Sequence, residues 1–215
     1  MRGKKKSKPK FSSPVEALRR FYPRPTVHEL NQTLQDGYTG VLVVREPFER
    51  LVSCYRNKVE GKHPYYEPLR RKITTLYHED QQAKYRVPRF SDFVQYVIDS
   101  SKNGWDFDEH YAPYYKFCTP CYYNISIIAK TETMWEDAEY IFTTVGLPRK
   151  VGLQQFNHNV KGGDTEDLVE QYFKTLSAKQ ILDLLDLYKP DFMIFDYDYS
   201  RYLKWADGND SQIKR

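Results

Sequence analysis

The sequence predicts an α/β fold, in which a small parallel sheet is flanked by helices. Two short apolar runs, at residues 41–44 and 125–129, have the length and composition of buried strands. Capped helical patterns alternate with these runs, and neither an internal repeat nor a linker between two domains is present. The chain has 215 residues, with 19 Tyr and 12 Phe, so it is large and apolar enough to bury a core.

The first forty residues are predicted to be a basic tail and a lead-in. Six of the first ten residues are Lys or Arg, which favours a disordered tail over 1–13, although a binding arm has the same composition. Residues 14–40 contain three prolines and are predicted to be irregular or short helical. Subtracting the six tail charges from the net charge of +4 leaves about −2, which argues against a nucleic-acid-binding face.

The run at 41–44 and the helix after it predict an anion site. The strand ends at Arg45, and Pro47 fits the first turn of a helix, where its missing N–H costs no hydrogen bond. A cation at a strand's carboxyl end, beside a helix N-terminus, attracts an anion. Arg45 can bind a phosphate with two hydrogen bonds, and the Ser53 hydroxyl, about two turns into the helix, can add another. The expected core face of this helix is Phe48, Leu51, Val52 and Tyr55.

Residues 61–89 form a polar, tyrosine-rich stretch that is predicted to be helical only from about residue 69 to 77. Two interpretations remain open: a long surface excursion, or a rim that binds an anionic sugar. The basic residues of such a rim would be Arg70, Arg71, Lys72, Lys84, Arg86 and Arg89.

The remaining helices are indicated by apolar spacing and by caps. Apolar residues recur at helical spacing over 90–98. Thr133 and Glu136 predict a capping box for the helix after the second strand. Ser177 and Gln180 predict another, for a helix that should stop before Pro190 and be followed by an extended segment.

Two further groups of residues have more than one interpretation. His110 could accept the proton of a hydroxyl group, or it could be a structural histidine; the neighbouring acidic residues Asp106, Asp108 and Glu109 would then orient it or form a solvated loop. Cys118 and Cys121 lack the two further ligands of a zinc site, and a strand follows them where a redox motif would need a helix. We therefore favour a structural cysteine pair, disulfide-linked or not, and expect no metal.

Several segments together resemble one enzyme family. R-E-P-F-E-R-L-V-S-C-Y-R-N-K, beginning at Arg45, resembles the 3′-phosphate-binding motif of Golgi carbohydrate sulfotransferases, in particular the chondroitin/dermatan 4-O-sulfotransferase group. H-Y at His110, C-x-P-C at Cys118 and K-T-E-T-M-W-E-D-A at Lys130 also resemble family segments, with Ala129 in place of a family glycine. The resemblance covers about residues 28–205.

The resemblance implies a P-loop-like sulfotransferase fold with a parallel sheet between helices. It implies that Arg45 and Ser53 bind the 3′-phosphate of the donor 3′-phosphoadenosine 5′-phosphosulfate (PAPS), and that His110 is the catalytic base. The implied acceptor is an anionic glycan or glycosaminoglycan containing N-acetylgalactosamine, at the lumenal side of the Golgi membrane. Lys130 and Glu132 either contact a ligand or only order the following helix.

One part of the family pattern is not found in these residues. The family builds the first half of its donor site from a strand, a phosphate loop of the P-K-x-x-x-T type and a helix. About forty residues precede the first strand here, and they contain neither that strand nor that loop. We therefore expect residues 14–205 to form a partial sulfotransferase domain that lacks this unit, between disordered tails at 1–13 and 206–215.

Two functions follow from this expectation. One is a PAPS-dependent carbohydrate sulfotransferase, and the other is a catalytically inactive, sulfotransferase-like module that binds a glycan or a partner protein. The sequence contains no apolar run long enough to span a bilayer and no signal peptide, so membrane attachment is expected only through an anchor outside this chain. The loop from Lys161 to Asp164 either contacts phosphate or is an ordinary turn.

Overall fold

The computed structural model describes residues 14–77, 87–148 and 165–213, and these residues form two strands and ten α-helices. The elements are α1 (Pro14–Phe21), α2 (Val27–Gln35), β1 (Val41–Val44), α3 (Pro47–Cys54), α4 (Glu67–Tyr77), α5 (Phe90–Asn103), α6 (Tyr114–Phe117), β2 (Ile127–Lys130), α7 (Met134–Thr144), α8 (Thr165–Phe173), α9 (Ala178–Ile194) and α10 (Ser200–Ile213). The predictions for the basic tail 1–13 and for Lys84, Arg86 and the 161–164 loop lie outside the described residues. None of the helices within the described ranges combines the length and apolarity that crossing a bilayer requires.

The two strands pair in parallel, as predicted, with Val41 opposite Ile127 and Val44 opposite Lys130. The second strand starts two residues later than expected. The prediction that both strands are fully buried is wrong: Val41 is 38% and Val43 is 48% exposed. Paired residues of a parallel ladder point to the same face, and on this face only β2 is covered, because α7 packs against it.

The core lies between α3, α5 and the C-terminal helices α8, α9 and α10. All four residues of the predicted apolar stripe of α3 are buried, which confirms the orientation of that helix. The ring of Phe48 packs against Phe173, Phe192 and Tyr202, with centroid separations of 5.0, 5.0 and 4.7 Å. The carboxyl end of β1 and the start of α3 are therefore held against α8, α9 and α10 by edge-to-face and tilted aromatic contacts.

The capping box at Ser177 and Gln180 is confirmed, but the predicted helix stop before Pro190 is wrong, because α9 continues to Ile194. A proline removes one backbone hydrogen bond from a helix, and tertiary packing can offset that loss. Asp191 is fully buried, and its carboxylate accepts hydrogen bonds from the backbone N–H groups of Tyr114 and Tyr115 at 2.6 and 2.8 Å. These contacts hold the helix in place beyond the proline.

Two further boundaries differ from the sequence predictions. The predicted capping box at Thr133 and Glu136 is wrong, because the Thr133 side chain makes no cap hydrogen bond to α7; the Thr133 hydroxyl instead donates to Asp137 at 2.8 Å, and Asp137 also accepts the Lys130 N–H at 2.7 Å. The C-terminal end is helical where an extended segment and a tail from 206 were expected: α10 runs to Ile213, and Ala206 is buried against the core. The packed region therefore extends past the expected boundary at 205.

A π-helix over Tyr55–Glu60 continues α3 and ends at Gly61. The Gly61 N–H donates to the Arg56 carbonyl at 2.8 Å. A Cβ atom at Gly61 would lie 2.8 Å from the carbonyl oxygen of Asn57 and 2.9 Å from that of Arg56. Only glycine fits this approach of backbone to backbone.

Gly61→Ala is therefore expected to lower the free energy of unfolding by about 1–3 kcal/mol, since the clash is with backbone atoms that must shift. Gly208→Ala is the matched control, because a Cβ there meets nothing within 4 Å, and alanine in a helix stabilises by up to about 1 kcal/mol. Urea unfolding of both variants measures the difference. Equal unfolding midpoints for the two variants would contradict the conclusion that only glycine fits at position 61.

Candidate functional site

Arg45 lies directly after β1, at the carboxyl edge of the sheet, as predicted. Its side chain is 29% exposed, and its Nε and Nη2 atoms lie 3.4 and 3.5 Å from Oε2 of Glu49. Its backbone N–H donates to the Tyr114 hydroxyl at 3.1 Å. A guanidinium group has five N–H donors, and among the described residues Arg45 uses only Nε and Nη2, to bond Glu49. The edge formed by Nη1 and Nη2 therefore has donors left for a second anion.

The N-terminus of α3 differs from the expected anion site. Glu46 caps this helix with its own carboxylate, whose Oε2 accepts the Glu49 N–H at 2.6 Å. Pro47 has no N–H to offer. Two of the first-turn backbone groups therefore cannot donate to an anion, and the side chains of Arg45 and Ser53 become the main expected ligands.

Ser53 lies one turn after Glu49 on α3 and is partly buried. Residues four apart on a helix are neighbours on one face, with Cβ atoms about 5–6 Å apart. Because Arg45 contacts Glu49, this spacing puts the Ser53 hydroxyl on the side of α3 that Arg45 contacts. Ser53 thus shares one side of α3 with Glu49, the residue that pairs with Arg45.

Arg50 joins this helix to the segment that contains His110. Its Nη2 donates to the Ala112 carbonyl, and its guanidinium carbon lies 3.9 Å from the centre of the Tyr114 ring. Tyr114 in turn contacts the Arg45 backbone. Sequence reasoning did not assign Arg50 a role; its position three residues before Ser53, on an adjacent face of the same helix, was the available signal.

His110 lies in a cluster with Asp108 and Tyr66. Its Nδ1 atom is 2.7 Å from Asp108 Oδ1 and 3.0 Å from the Tyr66 hydroxyl, and its side chain is 39% exposed. Within the described ranges, no hydrogen bond joins His110 to Arg45 or Ser53, so the link between these predicted site residues runs through Arg50. Tyr66 was missed because it is 44 residues away in sequence and nothing local marks it.

Lys130 and Glu132 both make structural contacts at the end of β2. Glu132 accepts the Glu46 N–H at 2.9 Å and the Tyr197 hydroxyl at 3.1 Å. Lys130 Nζ donates to the Asp196 carbonyl at 3.0 Å. The pair therefore ties the ends of both strands to the residues between α9 and α10. This favours a structural role over ligand contact, although the side chains bond that segment instead of the following helix that the prediction named.

Of the six basic residues considered for a sugar-binding rim, four lie in the described ranges, and three of these have side-chain partners in the protein. Arg70 donates to the carbonyls of Lys58 and His63 at 3.2 and 2.9 Å, and Arg71 pairs with Glu67. Lys72 Nζ lies 3.2 Å from the Tyr96 hydroxyl. These contacts support the interpretation of α4 as a surface element over the rim interpretation.

All three cysteines are free thiols, so Cys118 and Cys121 do not form a disulfide. Burial raises the pKa of the Cys54 thiol to about 12 and also raises that of Cys118. Thiols held protonated in this way are poor nucleophiles, in keeping with a structural role. The described residues contain no group of three His, Cys, Asp or Glu side chains arranged to hold a metal ion.

Glu46 is a buried acid at the junction of β1 and α3. Its Oε1 accepts the Tyr202 hydroxyl at 2.7 Å, and burial raises its pKa to about 6, from an ordinary value of 4.5. A carboxyl group with a raised pKa in the folded state stabilises the fold fully below pH about 4.5 and loses that contribution as pH rises to about 6. A difference of this size corresponds to about 2 kcal/mol.

Glutamine cannot ionise, so Glu46→Gln should not lose this contribution. We therefore expect its free energy of unfolding, relative to that of the unsubstituted chain, to rise by about 2 kcal/mol as pH increases from 4.5 to 7. Urea unfolding at a series of pH values measures the two profiles. Parallel profiles would show that Glu46 titrates normally. Asp36→Asn, at an exposed position, is the control and should follow the unsubstituted chain.

Comparison with known proteins gives a consistent result. A family model described as "Sulfotransferase family" matches residues 1–198. The chain is 32% identical over 186 residues to carbohydrate sulfotransferase 11 of Rattus norvegicus, covering 83% of this chain and 52% of that protein. It is 30% identical over 194 residues to carbohydrate sulfotransferase 8 of Homo sapiens, covering 87% and 44%, and 30% identical over 172 residues to the human carbohydrate sulfotransferase 9, covering 77% and 39%. The chain thus spans about half the length of these relatives, and no solved structure matches it.

Proposed function

Because the chain belongs to the sulfotransferase family, we propose that it is a carbohydrate sulfotransferase that moves a sulfonate group from PAPS to a hydroxyl group of a glycan. The arrangement of Arg45 is the observation that carries this proposal. Its guanidinium lies at the carboxyl edge of a parallel sheet, and no described residue bonds its Nη1 atom. Helical spacing puts Ser53 on the same side of α3 as Glu49, the partner of Arg45. Ligands of α/β proteins bind at this edge.

In the proposed complex, Arg45 and Ser53 bind the 3′-phosphate of PAPS. A guanidinium matches the geometry of phosphate oxygens and forms two parallel, charge-assisted hydrogen bonds with them. The phosphate fixes the position of the adenosine, and hence of the sulfonate at its 5′ end. Arg50 supports this arrangement by holding α3 against the segment of His110.

His110 is the proposed general base. The acceptor oxygen attacks the sulfur atom, the bond from sulfur to the bridging phosphate oxygen breaks, and 3′-phosphoadenosine 5′-phosphate leaves. The hydroxyl proton passes to the imidazole, from which solvent removes it. A base placed within hydrogen-bonding reach of the hydroxyl lowers the barrier to this step, and in-line transfer needs neither a metal ion nor a covalent intermediate.

The acceptor, by the resemblance at Arg45 and His110, is a chondroitin- or dermatan-like glycan that carries N-acetylgalactosamine. The three relatives are named as carbohydrate sulfotransferases, which supports a glycan acceptor of some kind. The proposed location is the lumen of the Golgi apparatus, where the resembling enzymes work.

Sulfate transfer from radiolabelled PAPS tests the proposal, with chondroitin, dermatan and an unrelated glycan such as heparan as acceptors. Preferential labelling of chondroitin or dermatan is the expected result. Transfer by these 215 residues would also exclude the inactive binding module. Calorimetry with 3′-phosphoadenosine 5′-phosphate reads donor binding separately, and a chain that neither binds this nucleotide nor transfers sulfate would overturn the proposal.

A further inference from the structure

The cluster around His110 contains more than the histidine. Asp108 Oδ1 accepts the backbone N–H of His110 at 2.9 Å and lies 2.7 Å from its Nδ1 atom. The Tyr66 hydroxyl is 3.0 Å from the same nitrogen and also hydrogen-bonds Asp108. The three side chains therefore form a closed set of hydrogen bonds on one side of the imidazole ring.

The charges of this cluster fix which nitrogen carries the proton. Burial acts to raise the pKa of Asp108, but hydrogen bonds from His110 and Tyr66 outweigh it and hold that pKa below its usual value. Asp108 is therefore an ionised acceptor, and an ionised acceptor 2.7 Å away requires Nδ1 to be the protonated nitrogen. Nε2 is then the basic nitrogen, and it makes no hydrogen bond to the described residues.

Neither of the other acidic residues in this segment can take the place of Asp108. Asp106 is exposed, and Glu109 lies 3.8 Å from Arg19 in an exposed pair. Sequence reasoning left all three as equal candidates, and only the structure separates them.

The turn that precedes Tyr66 has an unusual backbone. The π-helix ends at Gly61. Lys62, the residue after it, has a left-handed backbone with φ of 54°, and a 3-10 turn over Pro64–Tyr66 follows. Strained backbone and π-helical turns of this kind cluster at functional sites. Tyr66 itself is buried, and Lys58 Nζ lies 5.3 Å from the centre of its ring.

We propose that Asp108 and Tyr66 are positioning residues that hold the His110 imidazole in the Nδ1–H form, with Nε2 directed to the acceptor hydroxyl of a glycan. This rests on the proposed function, in which His110 is the base. The arrangement follows the same logic as a carboxylate that orients a catalytic histidine in a hydrolase triad. Neither residue touches the reacting atoms.

The first test reads the tautomer directly and needs no enzymatic activity. The full chain is labelled with ¹⁵N-histidine, and the imidazole nitrogens are observed by NMR at a pH about two units above the ordinary histidine pKa of about 6.5. We expect His110 to show a protonated Nδ1 and an unprotonated Nε2. In Asp108→Asn this preference should be lost, whereas Asp106→Asn should leave it unchanged.

The second test uses the rate of sulfate transfer. Asp108→Asn should lower kcat about 10²-fold with KM for the glycan nearly unchanged, and Tyr66→Phe should lower kcat by about 10-fold. Tyr65→Phe is the matched control, because Tyr65 is 73% exposed and lies beside Tyr66. Backbone amide spectra establish whether each variant is folded. If Asp108→Asn does not fold, the comparison of Tyr66→Phe with the unsubstituted chain tests the positioning roles.

The two proposals fail separately. A protonated Nε2 in the unsubstituted chain, or a tautomer that Asp108→Asn does not change, would overturn the positioning roles even if the chain transfers sulfate. A protonated Nδ1 in a chain that transfers no sulfate and binds no donor nucleotide would overturn the proposed function and leave the positioning geometry intact.

Discussion

Replacing His110 with alanine is expected to lower kcat for sulfate transfer by about 10²–10⁴-fold, the range that a single general base contributes. Without the imidazole, the attacking hydroxyl must lose its proton to water. The binding of 3′-phosphoadenosine 5′-phosphate should stay unchanged, because His110 makes no hydrogen bond to Arg45 or Ser53 in the described ranges. Initial rates with saturating PAPS and calorimetry with the product nucleotide measure the two effects.

His28→Ala is the control for this substitution. His28 is exposed on α2, so its loss should change neither rate nor binding. His110→Ala with a full rate would show that another group removes the proton. A fall in nucleotide affinity equal to the fall in kcat would show instead that His110 supports the donor site.

Arg45→Ala is expected to weaken the binding of 3′-phosphoadenosine 5′-phosphate by about 30- to 150-fold. The physical reason is the loss of charge-assisted hydrogen bonds to phosphate, which contribute about 2–3 kcal/mol. Removal of the guanidinium also leaves Glu49 paired with Arg201 but no longer with Arg45, and the less neutralised carboxylate would repel the phosphate. Calorimetry of the variant and the unsubstituted chain gives the ratio of dissociation constants.

Two further variants isolate the contribution of phosphate binding. Arg45→Ala combined with Glu49→Gln removes the repulsive carboxylate, and its affinity should remain weak if Arg45 binds the ligand. Arg71→Ala breaks an equivalent pair four residues apart, with Glu67, on the exposed side of α4, and should leave the affinity unchanged. Equal affinities of Arg45→Ala and Arg71→Ala would contradict the assignment of Arg45.

Local sequence signals predicted the elements near the site well. The strand that ends just before Arg45, the helix beginning at Pro47 and the capping box at Ser177 each depend on a few neighbouring residues. Hydrophobic spacing likewise identified the buried face of α3, because a helix packed on one side repeats its apolar residues at helical intervals.

The errors arose where distant residues decide the local structure. Pro190 should end a helix by its own chemistry, yet α9 continues because Asp191 is bonded to backbone groups almost eighty residues earlier in the chain. The sequence also predicted that the N-terminus of α3 would attract an anion. Instead, the carboxylate of Glu46 caps that helix end and accepts a hydrogen bond from Tyr202, 156 residues away. No short pattern contains such information.

The amino-acid sequence alone determined which residues stand at the strand end and in the helix after it, because backbone preferences and apolar spacing act over a few residues. Only the tertiary structure decided which acid supports His110, which hydroxyl joins it and how Arg50 links the two halves of the site. The Tyr66–His110 and Arg50–Ala112 contacts join segments 44 and 62 residues apart, so no local pattern contains them. Asp108 is only two residues from His110, but the backbone conformation that points it at the imidazole, while Asp106 and Glu109 stay exposed, is set by the folded chain.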